Sequence, residues 1–202
     1  MNNTYFITGI GTGIGKTIVS AVLTEKLKAD YWKPVQSGDL EISDSLFVKH
    51  LVSPDTVIHP EAYRLSEPLS PHLSARLDGI NITLASIKKP QTNNHLIIEG
   101  AGGLMVPLND DQLILDLIKS LQAQVIVVSQ NYLGSINHTL LTLEILKANQ
   151  IDIAGLIFNG TANEESERYI AQYSKVKVLG RIPKMSTLDN ENIAKAGQYI
   201  TF

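Results

Sequence analysis

Short, almost unbroken apolar runs recur along this chain and end in glycine-rich or polar stretches. Between them lie longer segments whose apolar residues fall three and four apart. Runs of the first kind suit strands buried on both faces, and the second spacing gathers apolar side chains on one side of a helix. Strands are therefore expected at Tyr5 to Thr8, His95 to Ile98, Val125 to Ser129 and Ala154 to Phe158, with a fifth at Val176 to Leu179 and a further short one at Tyr31 to Val35. Helices are expected at Lys16 to Lys28, Leu113 to Leu121 and Ile136 to Ala148. Alternation of the two predicts an α/β fold, a mostly parallel central sheet with helices on both faces. Leu40 to Lys89 has mixed polarity and several prolines, which marks a long, partly helical excursion rather than a linker. With no internal repeat and no spacer, residues 1–202 read as a single domain.

Composition narrows the function. At 44% hydrophobic and 18% charged residues the chain has enough apolar surface to offset the ordering of a large domain. A formal charge of -3 supplies no broad positive field for nucleic acid or anionic lipid, so neither is an expected partner and any anion site must be local. The absence of cysteine excludes disulfides, thiolate metal sites and cysteine nucleophiles, and suits a reducing compartment. The opening Met1-Asn2-Asn3-Thr4-Tyr5 lacks a basic region followed by an apolar stretch, and no window has the length of a membrane span. The expectation is a soluble, cytoplasmic protein.

One segment carries a specific chemistry. After the first strand comes Thr8-Gly9-Ile10-Gly11-Thr12-Gly13-Ile14-Gly15-Lys16-Thr17, and Ile18, Val19, Ala21, Val22 and Leu23 then open a helix. Glycines let backbone N–H groups converge on phosphate oxygens, the helix start adds positive potential, Lys16 reaches terminal phosphates and the Thr17 hydroxyl can hold Mg²⁺. The strict Walker A spacing would place its first glycine at Ile10, so Gly9 makes this a variant P-loop. No Gly-x-Gly-x-x-Gly register closes here, which disfavours a dinucleotide site.

In an open parallel sheet the binding crevice lies at the carboxyl ends of the strands, so residues just after each apolar run carry the next candidates. Glu99-Gly100-Ala101-Gly102-Gly103 follows one run, with an acid able to bind Mg²⁺ or to cap a turn. Asp44, in Ser43-Asp44-Ser45, is either a Mg²⁺ or ribose ligand or a helix start, and spacing alone favours the start. Lys33, in Trp32-Lys33-Pro34-Val35-Gln36-Ser37-Gly38, is expected in the crevice rather than on a sheet edge, and Ser37 either caps or binds ligand. Pro68-Leu69-Ser70-Pro71-His72 reads as a rigid turn into a helix, with no proton-transfer role for His72. Leu133-Gly134-Ser135-Ile136-Asn137-His138 opens a helix whose free N–H groups suit a carboxylate, unless Ser135 is a plain N-cap. Asn159-Gly160 and Gly180-Arg181-Ile182-Pro183 are turns at strand ends, where Asn159 can meet a base edge. No Asn-Lys-x-Asp segment is present to fix guanine.

Taken together, Thr8 to Thr17, Lys33 to Gly38, Ser43-Asp44, Pro68 to His72, Glu99 to Gly103, Gly134 to His138 and Gly180 to Pro183 resemble the dethiobiotin synthetase family over nearly the whole chain. The resemblance implies a single P-loop NTPase domain, a homodimer, and substrates 7,8-diaminononanoate (7,8-diaminopelargonate), CO2 and ATP with Mg²⁺. It makes Lys33 and Lys16 catalytic, and Thr17, Asp44 and Glu99 the metal set. ATP would be met by Thr12, Gly13, Ile14, Gly15, Lys16, Thr17, Ile18, Asp44, Glu99, Gly100, Ala101 and Gly102. Asn159, Gly160, Pro183, Lys184, Met185 and Glu191 would lie on the adenine side. Thr12, Ser37, Pro71, Leu133, Gly134, Ser135, Ile136 and Asn137 would bind the diamine, the last four receiving its carboxylate from the neighbouring subunit.

The chain departs from the family pattern at Gly13, where some relatives carry an acid, at Tyr132, where a basic residue sometimes precedes Leu-Gly, and in a longer Lys184 to Asn192 segment. Partitioning ATPases resemble the same fold but place a second lysine early in the loop, where this chain has Gly11. An amidotransferase-type synthetase would normally add a glutaminase domain with a cysteine nucleophile, for which these 202 residues have neither the length nor a cysteine.

Overall fold

The structure, a computed structural model, describes residues 2–202. In chain order the elements are β1 (Thr4–Gly9), α1 (Lys16–Leu27), β2 (Asp30–Trp32), β3 (Val35–Ser37), α2 (Asp44–Leu51), β4 (Ile58–His59), β5 (Tyr63–Leu65) and α3 (Pro71–Leu77). They continue with β6 (Leu96–Gly103), α4 (Ile114–Leu121), β7 (Gln124–Gln130), α5 (Ser135–Ala148), β8 (Ile153–Asn159), α6 (Glu164–Ser174), β9 (Val178–Ile182) and α7 (Asn190–Ala196). Seven strands form a sheet in the order β4-β2-β6-β1-β7-β8-β9, and every neighbouring pair is parallel.

Period-two alternation divides the core. Phe6, Ile98, Val125, Val127, Leu156 and Phe158 face α4, α5 and α6. Tyr5, Ile7, Tyr31, Ile97, Ile126, Val128 and Ile157 face the opposite way, towards α1, α2 and α7. The central strands β1, β6, β7 and β8 thus bury both faces, which is why their runs read as continuously apolar. The chain leaves β1 for β2 on one side and passes from β6 to β7, β8 and β9 on the other, so its direction reverses around β1. A ligand crevice belongs at the carboxyl end of a strand at such a reversal.

Four expectations are corrected. The run His95 to Ile98 extends through the glycines to Gly103, because Gly9 pairs with Gly103 through backbone alone. Tyr31 to Val35 is two strands rather than one: Pro34 interrupts it, and β3 pairs with β5 in a separate two-stranded sheet. The final strand is shifted from Val176–Leu179 to Val178–Ile182, so Gly180 and Arg181 lie within it. Helices α6 and α7, unanticipated, carry polar sequences that bury Glu167, Ile170 and Ser174 in the first and Ile193 and Ala196 in the second.

Candidate active site

The chain turns from β1 into the glycine loop and regains regular structure at Lys16. Gly15 caps α1 with φ 89°, and a Cβ there would lie 2.0 Å from Asn159 Nδ2, so both conformation and space demand glycine. No side chain caps this helix, which leaves its first-turn N–H groups available to an anion. Asn159, at the end of β8, donates from Nδ2 to the Ile14 carbonyl at 3.0 Å and ties the loop to the sheet. Lys16 is buried, and its Nζ donates to the Gly11 carbonyl at 3.1 Å. Burial lowers its pKa, Glu99 opposes that, and Lys33 adds to it, with the balance below the ordinary lysine value. Such an ammonium gains most from a phosphate beside it.

Continuation of β6 through Glu99 holds that carboxylate inside the sheet, 1% exposed. Glu99 Oε1 lies 2.8 Å from Thr17 Oγ1 and accepts from Lys33 Nζ at 3.2 Å, while Oε2 accepts from Tyr31 Oη at 2.9 Å. Thr17 Oγ1 is also 3.1 Å from Asp44 Oδ1, and its single proton serves one carboxylate at a time. Lys33 Nζ pairs in addition with Asp44 Oδ2. Burial alone would lower the Lys33 pKa, but Glu99 and Asp44 outweigh it and hold it above the usual value, so the ammonium is the resident form. Burial first, then the charge of Glu99, pushes the Tyr31 phenol well above its ordinary pKa and keeps its proton in place.

Asp44 stands at a helix start, as the first residue of α2, but it is not the cap. Ser43 is the N-cap of α2, its side chain accepting from Leu46 N at 3.4 Å, and Asp44 turns instead towards Thr17 and Lys33. Gln36 braces this turn: its Oε1 accepts the Asp44 N–H at 3.3 Å and its Nε2 donates to the Gly38 carbonyl at 3.0 Å. Lys33, expected in the crevice, is there and not on a sheet edge.

These groups open on a cleft of about 720 Å³. Thr12, Gly13, Gly15, Ile18, Ala101 and Gly102 line it on the loop side, and Ser37, Asp39 and the segment Pro68 to Pro71 line it from β3 and the start of α3. At Gly38, φ 71°, a Cβ would meet the Pro68 backbone at 2.5 Å, so glycine lets β3 close against that segment. Ser37 Oγ is buried without a hydrogen-bond partner. His72 is not among the lining residues, and its Nδ1 lies 3.0 Å from Ser70 Oγ.

The remaining candidates stand apart from this cleft. Ile14 is in the core on the α1 side, and Gly100 packs under the Phe6 ring. Gly160 follows Asn159 at the end of β8. Pro183 and Lys184 are exposed, Met185 packs partly against the core, and Glu191 is paired with Lys195. Leu133 is fully exposed, and Gly134, not Ser135, is the N-cap of α5, with no side-chain cap. At the start of α5 the Ser135 N–H donates to the Tyr132 carbonyl at 3.0 Å, no side chain caps Ile136 or Asn137, and none of the three residues lines this chain's own cleft. Tyr132 Oη lies 2.8 Å from His138 Nδ1.

Thr17, Asp44 and Glu99 bring together a hydroxyl and two carboxylates, hard oxygen donors of the kind Mg²⁺ accepts when phosphates and water complete its shell. Among the described residues no group of three or more His, Asp or Glu side chains gathers as a cage by itself, and a nucleotide-bound Mg²⁺ does not require one. Tyr31 and Gln36 join the site without having been singled out from the sequence. Tyr31 reads there as one more apolar strand position, and only its place beside a carboxylate reveals the hydroxyl's role.

Comparison with known proteins bears on the whole chain. A family model described as an AAA domain matches residues 3–192. The ATP-dependent dethiobiotin synthetase of Christiangramia forsetii is 55% identical over 190 residues, covering 94% of this chain and 91% of that protein. The enzyme of the same name from Cytophaga hutchinsonii is 56% identical over 177 residues, 87% of this chain and 85% of that one. The Brucella ovis enzyme is 48% identical over 195 residues, 96% and 92%. Among solved structures, the septum site-determining protein MinD of Pyrococcus horikoshii with Mg-ADP superposes with a TM-score of 0.60 at 15% identity, covering 97% of this chain and 86% of that one. A ParA family ATPase from Chlorobium tepidum gives 0.56 at 13%, covering 99% and 100%. At these identities the structural matches establish a P-loop ATPase fold.

Proposed function

This chain belongs to the ATP-dependent dethiobiotin synthetases, ligases of biotin biosynthesis, and from that membership we propose that residues 1–202 act as one synthetase domain. In this reading it joins CO2 to 7,8-diaminononanoate with Mg²⁺ and ATP, closing the cyclic urea of dethiobiotin and releasing ADP and phosphate. The observation that carries it is the meeting of Lys16, Thr17, Lys33, Asp44 and Glu99 at one end of one cleft.

One amine of the diamine loses a proton and bonds to CO2, giving a carbamate. A carbamate oxygen attacks the γ-phosphorus as the bond to ADP breaks, giving a carbamic–phosphoric mixed anhydride. The second amine then attacks the carbonyl carbon, phosphate departs with its oxygen, and the ring closes. Negative charge accumulates on the carbamate and on the transferring phosphoryl group, so fixed cations and N–H donors supply most of the acceleration. Lys16 and the free N–H groups at the start of α1 would hold the phosphates. Lys33, kept protonated by Glu99 and Asp44, would present its ammonium to the carbamate and the γ-phosphoryl group. Thr17, Asp44 and Glu99 would hold Mg²⁺, which when bound neutralises phosphate charge. Ser37 Oγ, unpartnered at the cleft, is free to bond the substrate. Asn159, Pro183 to Met185 and Glu191 are assigned to the adenine side. The start of α5 is assigned to the substrate carboxylate of a neighbouring copy in a cytoplasmic homodimer, a role that suits the N–H groups of Ile136 and Asn137, which no side chain caps.

The test is to incubate the purified protein with 7,8-diaminononanoate, bicarbonate and MgATP and follow dethiobiotin and ADP by mass spectrometry, omitting each component in turn. Product that requires all of them is the expected result. ATP hydrolysis independent of the diamine, with no cyclic urea, would overturn the reading.

A further inference from the structure

We infer that Tyr31 is a positioning residue for the magnesium site: its hydroxyl fixes the carboxylate of Glu99 so that Oε1, and not Oε2, is presented to Thr17, Lys33 and the cation. The inference rests on the proposed role of Thr17, Asp44 and Glu99 in holding Mg²⁺.

Strand register sets up the arrangement. Tyr31 pairs with Ile97 across β2 and β6, and Ile97 and Glu99 lie two apart on one face, so the phenol comes from the adjacent strand beneath the carboxylate. Lys33, two residues further along the same stretch, reaches the same carboxylate from above. One neighbouring segment thus supplies a donor to each oxygen, Tyr31 Oη to Oε2 at 2.9 Å and Lys33 Nζ to Oε1 at 3.2 Å. The two oxygens are not equivalent. Oε1 has Thr17 Oγ1 and Lys33 around it, whereas Tyr31 is the one donor to Oε2 among the described residues.

Tyr31 is itself fully buried in the core between the sheet and α1, so its ring cannot swing away from this position without disturbing packing on every side. No other described hydrogen bond competes for its hydroxyl. Glu99 is equally shut off from water, and a buried carboxylate whose second oxygen lacked a donor would be free to rotate about its terminal torsion. That rotation would withdraw Oε1 from the place where the hydroxyl of Thr17 and the carboxylate of Asp44 converge. Partners of this kind behind a metal-binding carboxylate tune affinity by about ten- to a hundred-fold.

Tyr31→Phe removes one oxygen and preserves the ring, so the fold is expected to survive, which thermal unfolding checks. The decisive readout is binding of Mn²⁺, as a spectroscopic substitute for Mg²⁺, to the protein with ADP, followed by electron paramagnetic resonance of the free ion. Tyr31→Phe should weaken Mn²⁺ by about ten-fold or more while ADP affinity without metal stays unchanged. In a Glu99→Gln background the same substitution should cost nothing further, because it acts through that carboxylate. Equal Mn²⁺ affinity in the wild type and Tyr31→Phe, or losses that add fully across the two backgrounds, would overturn the inference while leaving the magnesium assignment standing. Failure of the wild-type ADP complex to bind Mn²⁺ at all would overturn that assignment and this inference together.

Discussion

Two buried carboxylates lie on neighbouring strands of the sheet, Asp30 at the amino end of β2 and Glu99 in the middle of β6, 5% and 1% exposed. Asp30 is enclosed by its own chain. Its Oδ2 accepts from Thr92 Oγ1 at 2.6 Å and lies 3.1 Å from His59 Nε2, and its Oδ1 accepts from Asn94 Nδ2 at 3.2 Å. These partners close the turn that returns from the long excursion, and none of the four residues lines the large cleft. Glu99 instead shares its surroundings with two lysines and a second carboxylate, beside open space. Burial of an acid therefore does not by itself mark a functional site. Concentrated charge of both signs next to a cavity does, because such a cluster can change partners when a ligand enters, whereas a saturated acid only holds loops together.

Substitutions can break this contrast. Lys16→Ala should give the largest effect, a loss of turnover of about a thousand-fold or more with little change in Tm, since the ammonium serves a phosphate more than the fold; near-normal steady-state kinetics would remove the P-loop assignment. Lys33→Ala is expected to lower kcat by about a hundred-fold with a smaller change in KM. Unchanged kcat would reduce Lys33 to a neutralising partner of Glu99.

Asp30→Asn tests the other carboxylate. An amide in its place turns an N–H towards donors that now meet an oxygen, which should cost about 1–3 kcal/mol and lower Tm by several degrees while kcat stays as in the wild type. A hundred-fold loss of activity there would erase the distinction between the two regions. The mildest expectation concerns the ion: chelating Mg²⁺ in the presence of ADP should lower Tm by a few degrees, and by the same amount in Asp30→Asn as in the wild type, because the two regions do not share partners. An increment lost in Asp30→Asn, seen by differential scanning calorimetry, would show that they are coupled.

Much of the frame is legible in the residues. Strands buried on both faces leave unbroken apolar runs, so β1, β7 and β8 emerge within a residue or so of their ends. The glycine loop is legible because its chemistry is local, contained in ten consecutive positions. What escapes is whatever depends on pairing with distant segments. The glycines of Glu99 to Gly103 suggest a loop, yet parallel backbone pairing with β1 needs no side chains and carries the strand through them. The pairing of β3 with β5 joins stretches about which the intervening polar sequence says little. At the site, Lys33 and Glu99 stand out by type and position. Asp44 is ambiguous until Ser43 is seen to take the capping duty, and Tyr31 is silent because a phenol in a buried strand looks the same whether its hydroxyl is idle or engaged.

The break at Pro34 has an evolutionary consequence. Its carbonyl accepts from the N–H groups of Ala62 and Tyr63, at 2.9 and 3.0 Å, and starts a ribbon hydrogen-bonded apart from the main sheet. The cleft is thus walled on one side by the registers of β1 and β6 that hold the phosphate loop, and on the other by a ribbon with its own pairing. Exchanges confined to residues 60–70, beyond β4, leave the pairing of β1 and β6 that holds the phosphate loop in place. Descendants of such a chain can change what they act on while keeping how they use ATP.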